Sequence, residues 1–287
     1  MSRVRQPPLP VRDGLGPARV RLRGGAVLVE LASRFGESVA AKVFEGGVLT
    51  ADGTVVGPGT VLPPGAHVFL YRDLPQEIPV PFEMPVLYRD DHIVVVDKPH
   101  FLATMPRGRH VAETAVVRLR RALDLPELSP AHRLDRLTAG VLLFTVRREV
   151  RGAYQTMFAD GAVAKVYLAR SAGHAAVALP AVVRSRIIKE RGRLQAFEEP
   201  GEPNAETLVE HVGADLYRLT PHTGRTHQLR VHMAGLGLPL RNDPLYPDVL
   251  DVAPDDFTRP LQLLAHSMEF DDPLTGAARR FVSERTL

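Results

Sequence analysis

The chain has 287 residues, and 45% of them are hydrophobic, which suits one large globular domain or a large domain joined to a small one. It has no cysteine and no apolar run of transmembrane length, which excludes disulfides, thiolate catalysis, cysteine-ligated metals and membrane-spanning helices. The net charge is +3, and only four of the 36 basic residues are lysines. Because the planar arginine fork fits phosphate, we interpret the excess as an RNA-binding surface, with compositional bias as the alternative.

Residues 1–85 divide into three segments that differ in composition. Residues 1–24 hold six arginines against one acid, with several prolines and glycines, and are predicted to form a flexible basic arm. No apolar leader occurs in this arm, so a cytoplasmic location is expected. Residues 25–73 combine helical spacing with short strands about an Asp-Gly turn, which predicts a small α+β unit. Residues 74–85 contain four prolines and are predicted to be a semi-rigid linker.

Residues 86–287 alternate apolar runs of strand length with a smaller number of helical patterns. Many strands with few helices between them predict an α+β fold with a mixed, largely antiparallel central sheet and flanking helices. The predicted strands are 93–97, 140–146, 164–169, 182–189, 206–212, 216–220 and 261–270, and the predicted helices are 112–123, 148–159 and 225–236.

The loop His132-Arg133-Leu134-Asp135 lies between a predicted helix and a buried strand. Loops held by rigid elements are where catalytic groups concentrate. An aspartate flanked by arginines is expected to stay ionised, which suits a nucleophile or an electrostatic stabiliser better than a general acid. The alternative interpretation is an ion pair on the surface.

Two further segments carry polar residues in suggestive positions. On the predicted helix 225–236, Arg225, Gln228 and His232 share one stripe that suits an anionic partner. The three histidines of this region are five residues apart and cannot converge on a metal ion, because each step turns about 140° around a helix. In a strand, Lys165 and Tyr167 share a face, which is compatible with a site or with an ordinary half-buried strand.

Together, these segments resemble the RluA-type pseudouridine synthases. The resemblance covers residues 86–275, and the order and rough spacing of the motifs also match. The matching segments, in chain order, are Asp97-Lys98-Pro99, His132-Arg133-Leu134-Asp135, Lys165-Val166-Tyr167, Thr223-Gly224-Arg225-Thr226-His227-Gln228-Leu229-Arg230-Val231-His232 and Asn242-Asp243-Pro244-Leu245-Tyr246. Three positions depart from the family pattern: Ala139, Asn242 and His100.

The resemblance implies a pseudouridine synthase fold over residues 86–287. It also implies that residues 25–73 are a small S-four-like RNA-binding domain. The implied reaction breaks the bond from ribose to uracil nitrogen 1, turns a base flipped out of its stack, and rejoins it through carbon 5. It needs neither cofactor nor metal. The implied partner is RNA, with large-subunit ribosomal RNA preferred and tRNA as the alternative. The protein is expected to act as a monomer and to have no membrane partner.

The same resemblance assigns roles to residues. Asp135 is the nucleophile at the sugar carbon or the base that starts a glycal route, and both remain open. Arg225 is expected to pair with Asp135, and Tyr167 to stack on the flipped uracil and help remove the carbon 5 proton. The residues implied in substrate binding are His132, Arg133, Leu229 and Lys165.

Two other functions compete with this interpretation. A non-catalytic RNA-binding homologue would be expected to have lost part of the set Asp135, Tyr167 and Arg225, which is intact. A carboxylate-dependent glycosidase would need a second acid across the scissile bond, and the loop supplies no obvious one.

Overall fold

The structure, a computed structural model, describes residues 8–74 and 76–287. This part of the chain divides into two compact units. The first lies within Met1–Gln76 and includes Arg120–Pro126, and the second comprises Glu77–Leu119 and Glu127–Leu287. Within the described ranges, no helix is both long enough and apolar enough to cross a bilayer.

The first unit is a small α+β fold. Its three-stranded sheet has the order β1-β5-β3 with antiparallel pairs, and β2 pairs with β4. One face of each helix packs against the sheet, where Val27, Leu31 and Val43 are buried. The elements are β1 (Ala18–Arg21), β2 (Gly25–Ala26), α1 (Val27–Phe35), α2 (Glu37–Phe44), β3 (Val48–Thr50), β4 (Val61–Leu62) and β5 (His67–Leu70).

The predicted flexible arm is wrong over its last third. Strand β1 forms there because Val20 and Leu22 are buried while Arg19, Arg21 and Arg23 are exposed. That alternation has the period of a half-buried strand, and it can be read directly from the sequence. Residues 1–7 of the predicted arm lie outside the described part of the chain.

The predicted linker is shorter than expected. The Glu77 carboxylate accepts hydrogen bonds from the backbone N–H groups of Val111, Ala112 and Glu113, so the chain is attached to the second unit from that residue onward. Val80 is buried, and its carbonyl accepts from Arg118. Pro75, one of the four linker prolines, lies outside the described residues.

The second unit contains one sheet of eleven strands. Its main path runs β12-β11-β13-β14-β10-β15-β9-β7-β6, with β16 paired to β15 and β8 paired to β9. The elements are β6 (Val86–Arg89), β7 (Ile93–Lys98), α3 (Ala115–Leu123), β8 (Ser129–Pro130), β9 (Ala139–Thr145), α4 (Arg148–Ala159), β10 (Ala164–Arg170), β11 (Ala181–Ile188), β12 (Phe197–Glu199), β13 (Ala205–Gly213), β14 (Leu216–Pro221), α5 (Gln228–Gly235), β15 (Leu263–Asp271) and β16 (Ala278–Val282). The part of α3 from Arg120 onward is assigned to the first unit.

Nearly all neighbouring strands in this sheet are antiparallel, and β9 and β15 run parallel. This arrangement confirms the mixed, largely antiparallel sheet predicted from the sequence. Helix α4 buries Val150, Tyr154 and Met157 against the apolar face formed by β7, β9 and β15. The sheet thereby supports the ends of β7, β9 and β10, from which the candidate site is built.

Gly140 allows β9 and β15 to approach each other immediately after the loop that contains Asp135. Its φ of 112° is in the region that favours glycine. A Cβ atom built at this position would lie 2.1 Å from the carbonyl oxygen of Ala265. The parallel pairing of β9 with β15, which begins directly after the loop that contains Asp135, therefore requires glycine at position 140.

Candidate active site

A cleft of about 680 Å³ opens on one side of the second unit. Three of the segments singled out in the sequence meet there, although they are far apart along the chain. The loop with Asp135 forms one part, β10 contributes Lys165 and Tyr167, and the segment before and within α5 forms another. The end of α4 completes the lining with residues 158–161.

The loop that carries Asp135 is held from inside the protein. The Thr104 hydroxyl accepts a hydrogen bond from the Leu134 N–H at 3.1 Å and donates to the Leu134 carbonyl at 2.8 Å. The Thr138 N–H donates to the Asp135 carbonyl at 3.1 Å and closes a tight turn. These bonds place the Asp135 carboxylate at the cleft, with its side chain 22% exposed.

Lys98, at the end of β7, lies buried beneath the same loop. Its Nζ donates to the carbonyls of Pro99 at 2.9 Å and Leu102 at 2.7 Å, with a longer contact of 3.4 Å to that of Arg136. Burial lowers the pKa of Lys98 to about 7, and the charge of Asp135 opposes that change. Lys98 thus links the end of β7 to the backbone of Arg136, the residue that follows Asp135.

Two side chains on the α5 side face the Asp135 carboxylate. Arg230 Nη1 is 3.8 Å and His227 Nε2 is 3.9 Å from Asp135 Oδ2. Arg230 is itself held by a buried two-pronged pair with Asp243, with distances of 2.8 Å from Nε and 2.5 Å from Nη2. Asp243 also accepts from the backbone N–H groups of Leu245 and Tyr246. The guanidinium that faces Asp135 is therefore fixed in orientation.

Helix α5 begins three residues later than the sequence pattern predicts. His227 has a left-handed backbone conformation, with φ 59° and ψ 17°, and this interrupts the helical path before Gln228. The Gln228 side chain accepts a hydrogen bond from the Arg225 N–H and donates one to the Glu206 carbonyl. These bonds stabilise the turn that precedes the helix. Arg225 consequently lies in the turn and is not on the helix stripe assigned to it.

Tyr167 lies on β10, between β14 and β15, opposite Leu219 and Ala265. It lines the cleft together with Lys165, as expected from their shared strand face. Burial, reinforced by the charge of Asp135, raises the pKa of Tyr167 above its usual value. Burial lowers the pKa of Lys165. Tyr167 therefore presents a neutral phenol to the cleft.

His132 forms the inner wall of the loop. Its ring stacks on Phe158 with the centroids 4.3 Å apart, and its Nε2 accepts the Leu143 N–H at 3.2 Å. Burial, with a contribution from the charge of Lys165, lowers the pKa of His132 to about 3. The imidazole is therefore neutral over the working range of pH and acts as a hydrogen-bond acceptor.

Known proteins resemble this chain over the region that contains the cleft. The sequence pattern of the RNA pseudouridylate synthase family matches residues 92–235. The chain belongs to this family. The dual-specificity RNA pseudouridine synthase RluA of Salmonella typhi is 35% identical over 205 residues, which are 68% of this chain and 90% of that protein. Human pseudouridylate synthase RPUSD2 is 35% identical over 57% of this chain and 31% of that protein.

A solved structure shows the same fold. Human RNA pseudouridylate synthase domain containing 1 has a TM-score of 0.57 at 22% identity, over 73% of this chain and 86% of that chain. The resemblance to RluA-type synthases is therefore confirmed, and so is the α+β fold. The protein is an isomerase that acts on RNA.

The structure of this synthase corrects one predicted contact. Arg225 was expected to pair with Asp135, but its Nε donates to the carbonyl of Asn204 at 2.9 Å. Arg230 occupies the position beside the carboxylate instead. The reason is the left-handed residue His227, which moves the helix start and turns Arg230 toward the loop. Arg225 still lines the cleft.

The remaining residues predicted for the site all line the cleft of the synthase. They are His132, Arg133, Asp135, Lys165, Tyr167 and Leu229. Sequence reasoning missed Arg230 and His227, although both stand inside the Thr223–His232 motif. It also did not predict the ion pair between Arg230 and Asp243, because the two residues are 13 positions apart and meet only in the folded chain.

The three departures from the family pattern are accommodated without touching Asp135. Asn242 takes a φ of 61°, a conformation that asparagine tolerates better than most residues, in place of the usual glycine. His100 Nδ1 lies 2.7 Å from the Leu137 carbonyl, so it holds the far end of the loop. Ala139 is buried at the start of β9.

We expect His132 to make the synthase acid-sensitive. Its pKa is about 3 in the folded protein and near 6.5 in the unfolded chain, so the unfolded chain takes up the proton first. The free energy of unfolding should therefore fall as the pH drops through 6.5 toward 3. His132→Phe should reduce that fall by up to about 2 kcal/mol between pH 7 and pH 5.

Urea titrations of wild type and His132→Phe at both pH values check this. His100, whose pKa burial lowers to about 4, contributes equally to both proteins, so the difference isolates His132. An equal loss of stability in the two proteins would show that His132 is not held neutral by the fold.

Proposed function

We propose that this synthase converts uridines of large-subunit ribosomal RNA, and that tRNA stem-loops are the second substrate class. The convergence of Asp135, Tyr167 and Arg230 on one cleft of the second unit supports the chemistry of the proposal, and the small domain at residues 25–73 is the reason for preferring ribosomal RNA. The name of the bacterial relative describes dual specificity, which supports testing two RNA classes. The proposal includes a cytoplasmic location for the reaction.

Asp135 acts on the sugar in this proposal, either by attack on the carbon that bears uracil or by removing a proton to start a glycal route. The positive charge of Arg230 balances the carboxylate when the uracil departs. Because Asp243 holds Arg230 through two hydrogen bonds, that charge does not have to reorganise during the reaction.

The flipped uracil is expected to lie against Tyr167, with Leu229 as an apolar wall. Arg133 is exposed at the end of the loop, where it can enter the space that the flipped base leaves. The neutral state of Tyr167 favours stacking, because covering an uncharged ring with a base has a smaller desolvation cost than covering a charged one. His132 and Lys165 complete the substrate-binding wall.

The proposal includes RNA binding by the small unit, where residues 25–73 form the S-four-like domain. The exposed arginines of β1, together with Arg23 two residues beyond its end, support this extension, since Arg19, Arg21 and Arg23 alternate with the buried residues Val20 and Leu22. A row of arginines at strand spacing matches the repeating phosphates of an RNA backbone. A monomer with both units then holds the RNA at two places.

Neutralising this arginine row should weaken RNA binding and spare chemistry. In the triple variant Arg19→Gln, Arg21→Gln and Arg23→Gln, KM for RNA should rise while kcat at saturating RNA stays unchanged. The slope of log affinity against log salt should become shallower by about one for each arginine–phosphate ion pair that the substitutions remove. Filter binding at several salt concentrations measures this. An unchanged slope would remove the small unit from the RNA-binding surface.

The substrate proposal is tested with RNA that carries tritium at uracil carbon 5. Unmodified ribosomal RNA and unmodified tRNA of the host are incubated separately with the protein, and released tritium is counted. Release from ribosomal RNA is the expected result, and mapping then identifies the uridine. Release from tRNA alone would replace the preferred substrate, and release from neither would contradict the proposal.

A further inference from the structure

A chain of polar groups connects the backbone of Ala196 to Asp135 through Tyr246 and His227. The Tyr246 hydroxyl accepts the Ala196 N–H at 2.7 Å and donates its own hydrogen to the Ala196 carbonyl at 2.8 Å. His227 Nδ1 lies 2.9 Å from the same hydroxyl oxygen. The hydroxyl has only one hydrogen, so the assignment that satisfies all three contacts places the proton of the His227 contact on Nδ1.

This contact decides the tautomer of the neutral imidazole. With its hydrogen on Nδ1, His227 has a free lone pair on Nε2, and Nε2 is 3.9 Å from Asp135 Oδ2. Burial raises the pKa of Tyr246 to about 12, so its hydroxyl keeps the hydrogen on which the argument depends. The cleft therefore contains a proton acceptor of fixed orientation beside the reacting carboxylate.

The isomerisation requires such an acceptor. After carbon 5 of uracil bonds to the sugar, the C5–H bond must break. Its electron pair re-forms the C5–C6 double bond, the electrons of the N1–C6 double bond move to nitrogen 1, and nitrogen 1 takes up a proton from water. The base that accepts the C5 proton later gives it to water, so no proton is gained or lost overall. Carbon 5 is then one covalent bond from the sugar carbon on which Asp135 acts, so the base that takes its proton must lie close to Asp135, as Nε2 does. Tyr167 is a poor acceptor because its raised pKa keeps it a neutral phenol.

We propose that His227 Nε2 accepts the proton that leaves uracil carbon 5, and that Tyr246 fixes His227 in the tautomer that can do so. The proposal rests on the action of Asp135 at the sugar described above. It assigns to His227 the proton removal that the sequence resemblance gave to Tyr167.

The charges around His227 tie its basicity to the state of Asp135. Burial lowers its pKa, and so do the charges of Arg230 and Lys189, whereas the charges of Asp135 and Asp243 raise it. While Asp135 is bonded to the sugar or carries a proton, that support is lost and His227 is a weaker base. When carbon 5 has replaced nitrogen 1, Asp135 is a carboxylate again on either route, and His227 regains basicity as the C5 proton must leave.

The test compares RNA with hydrogen or deuterium at carbon 5 of the target uridine, using an RNA that the wild type converts. We expect His227→Asn to lower the single-turnover rate by about 100-fold. We also expect the deuterium isotope effect to be larger than in the wild type, because C5–H cleavage becomes slow. The acid limb of the wild-type rate profile, which lies below the usual histidine pKa, should disappear in the variant.

Two further variants complete the experiment. Tyr246→Phe keeps the ring but removes the hydroxyl that fixes the tautomer, so it should give a smaller loss of rate with the same rise in isotope effect. His174→Asn replaces an exposed histidine outside the cleft and should behave as the wild type.

Thermal melting confirms that each variant is folded. A wild-type rate in His227→Asn would overturn the proposal, and so would a slower rate with an unchanged isotope effect, which would indicate positioning alone. If His227→Asn does not fold, the isotope effect of Tyr246→Phe decides. Tritium release by the wild type is measured beside these reactions, so loss of the proposed substrate and loss of the His227 role give different results.

Discussion

Asp135→Asn is expected to fold like the wild type and to lose activity by on the order of 10⁴-fold or more. Asparagine has nearly the same shape but cannot attack the sugar carbon or take a proton from the sugar. The loop does not depend on the carboxylate, because Thr104 and Thr138 hold it through backbone atoms. Among the described residues, Arg230 Nη1 and His227 Nε2 lie 3.8 and 3.9 Å from the carboxylate, beyond hydrogen-bond distance, so replacing the carboxylate with an amide costs little stability.

Tritium release under single-turnover conditions measures this effect, and thermal melting verifies the fold. Asp91→Asn is the matched control, since it makes the same chemical change at an exposed turn outside the cleft. Asp135→Ala is measured in parallel, because an asparagine can revert to aspartate by deamidation and alanine cannot. Turnover in both Asp135 variants would disprove the assigned role.

Arg230→Met is expected to lower the rate by about 10² to 10³-fold, since it removes a fixed positive charge beside the carboxylate of Asp135, the proposed reacting group. It should also reduce the free energy of unfolding by about 3 to 5 kcal/mol, because the buried carboxylate of Asp243 is left without its partner. Arg230→Lys should recover part of the activity, as it retains the charge but loses the two-pronged geometry.

Arg225→Met is the discriminating comparison. Arg225 bonds the carbonyl of Asn204 and lies in the turn before α5, so its replacement should cost less activity than that of Arg230. Rates are measured at saturating RNA and below the melting transition of each variant. If Arg225→Met were the more damaging change, the contact predicted from the sequence would be correct, and Arg230 would serve only Asp243.

The sequence predicted much of the second unit because local patterns there agree with the tertiary fold. Helix α4 begins and ends where its apolar spacing predicts, and the apolar runs 93–96 in β7 and 141–144 in β9 are buried as expected. Strand β1 was missed although Val20 and Leu22 alternate with arginines, because the surrounding prolines and glycines suggested a flexible arm. Composition was the weaker guide there, since alternation reports directly on burial.

Motif order alone brought Asp135, Lys165 and Tyr167 into one expected site, since several separate motifs in sequence are far more specific than one loop. The sequence could not decide which arginine meets Asp135. That choice depends on the backbone of His227, whose left-handed conformation no helical periodicity reveals. Nor could periodicity show that the Tyr246 hydroxyl, held by both polar atoms of the Ala196 backbone, orients His227.

By itself, then, the amino-acid sequence determined the family, the type of sheet and most of the motif residues that line the cleft, because these follow from residue identity, spacing and order. Only the tertiary structure decided the electrostatics of the site: Arg230 beside Asp135, Lys98 beneath the loop, and His227 with its Nε2 atom 3.9 Å from the carboxylate. Charge interactions depend on distance and burial, and those quantities exist only after distant segments have packed together.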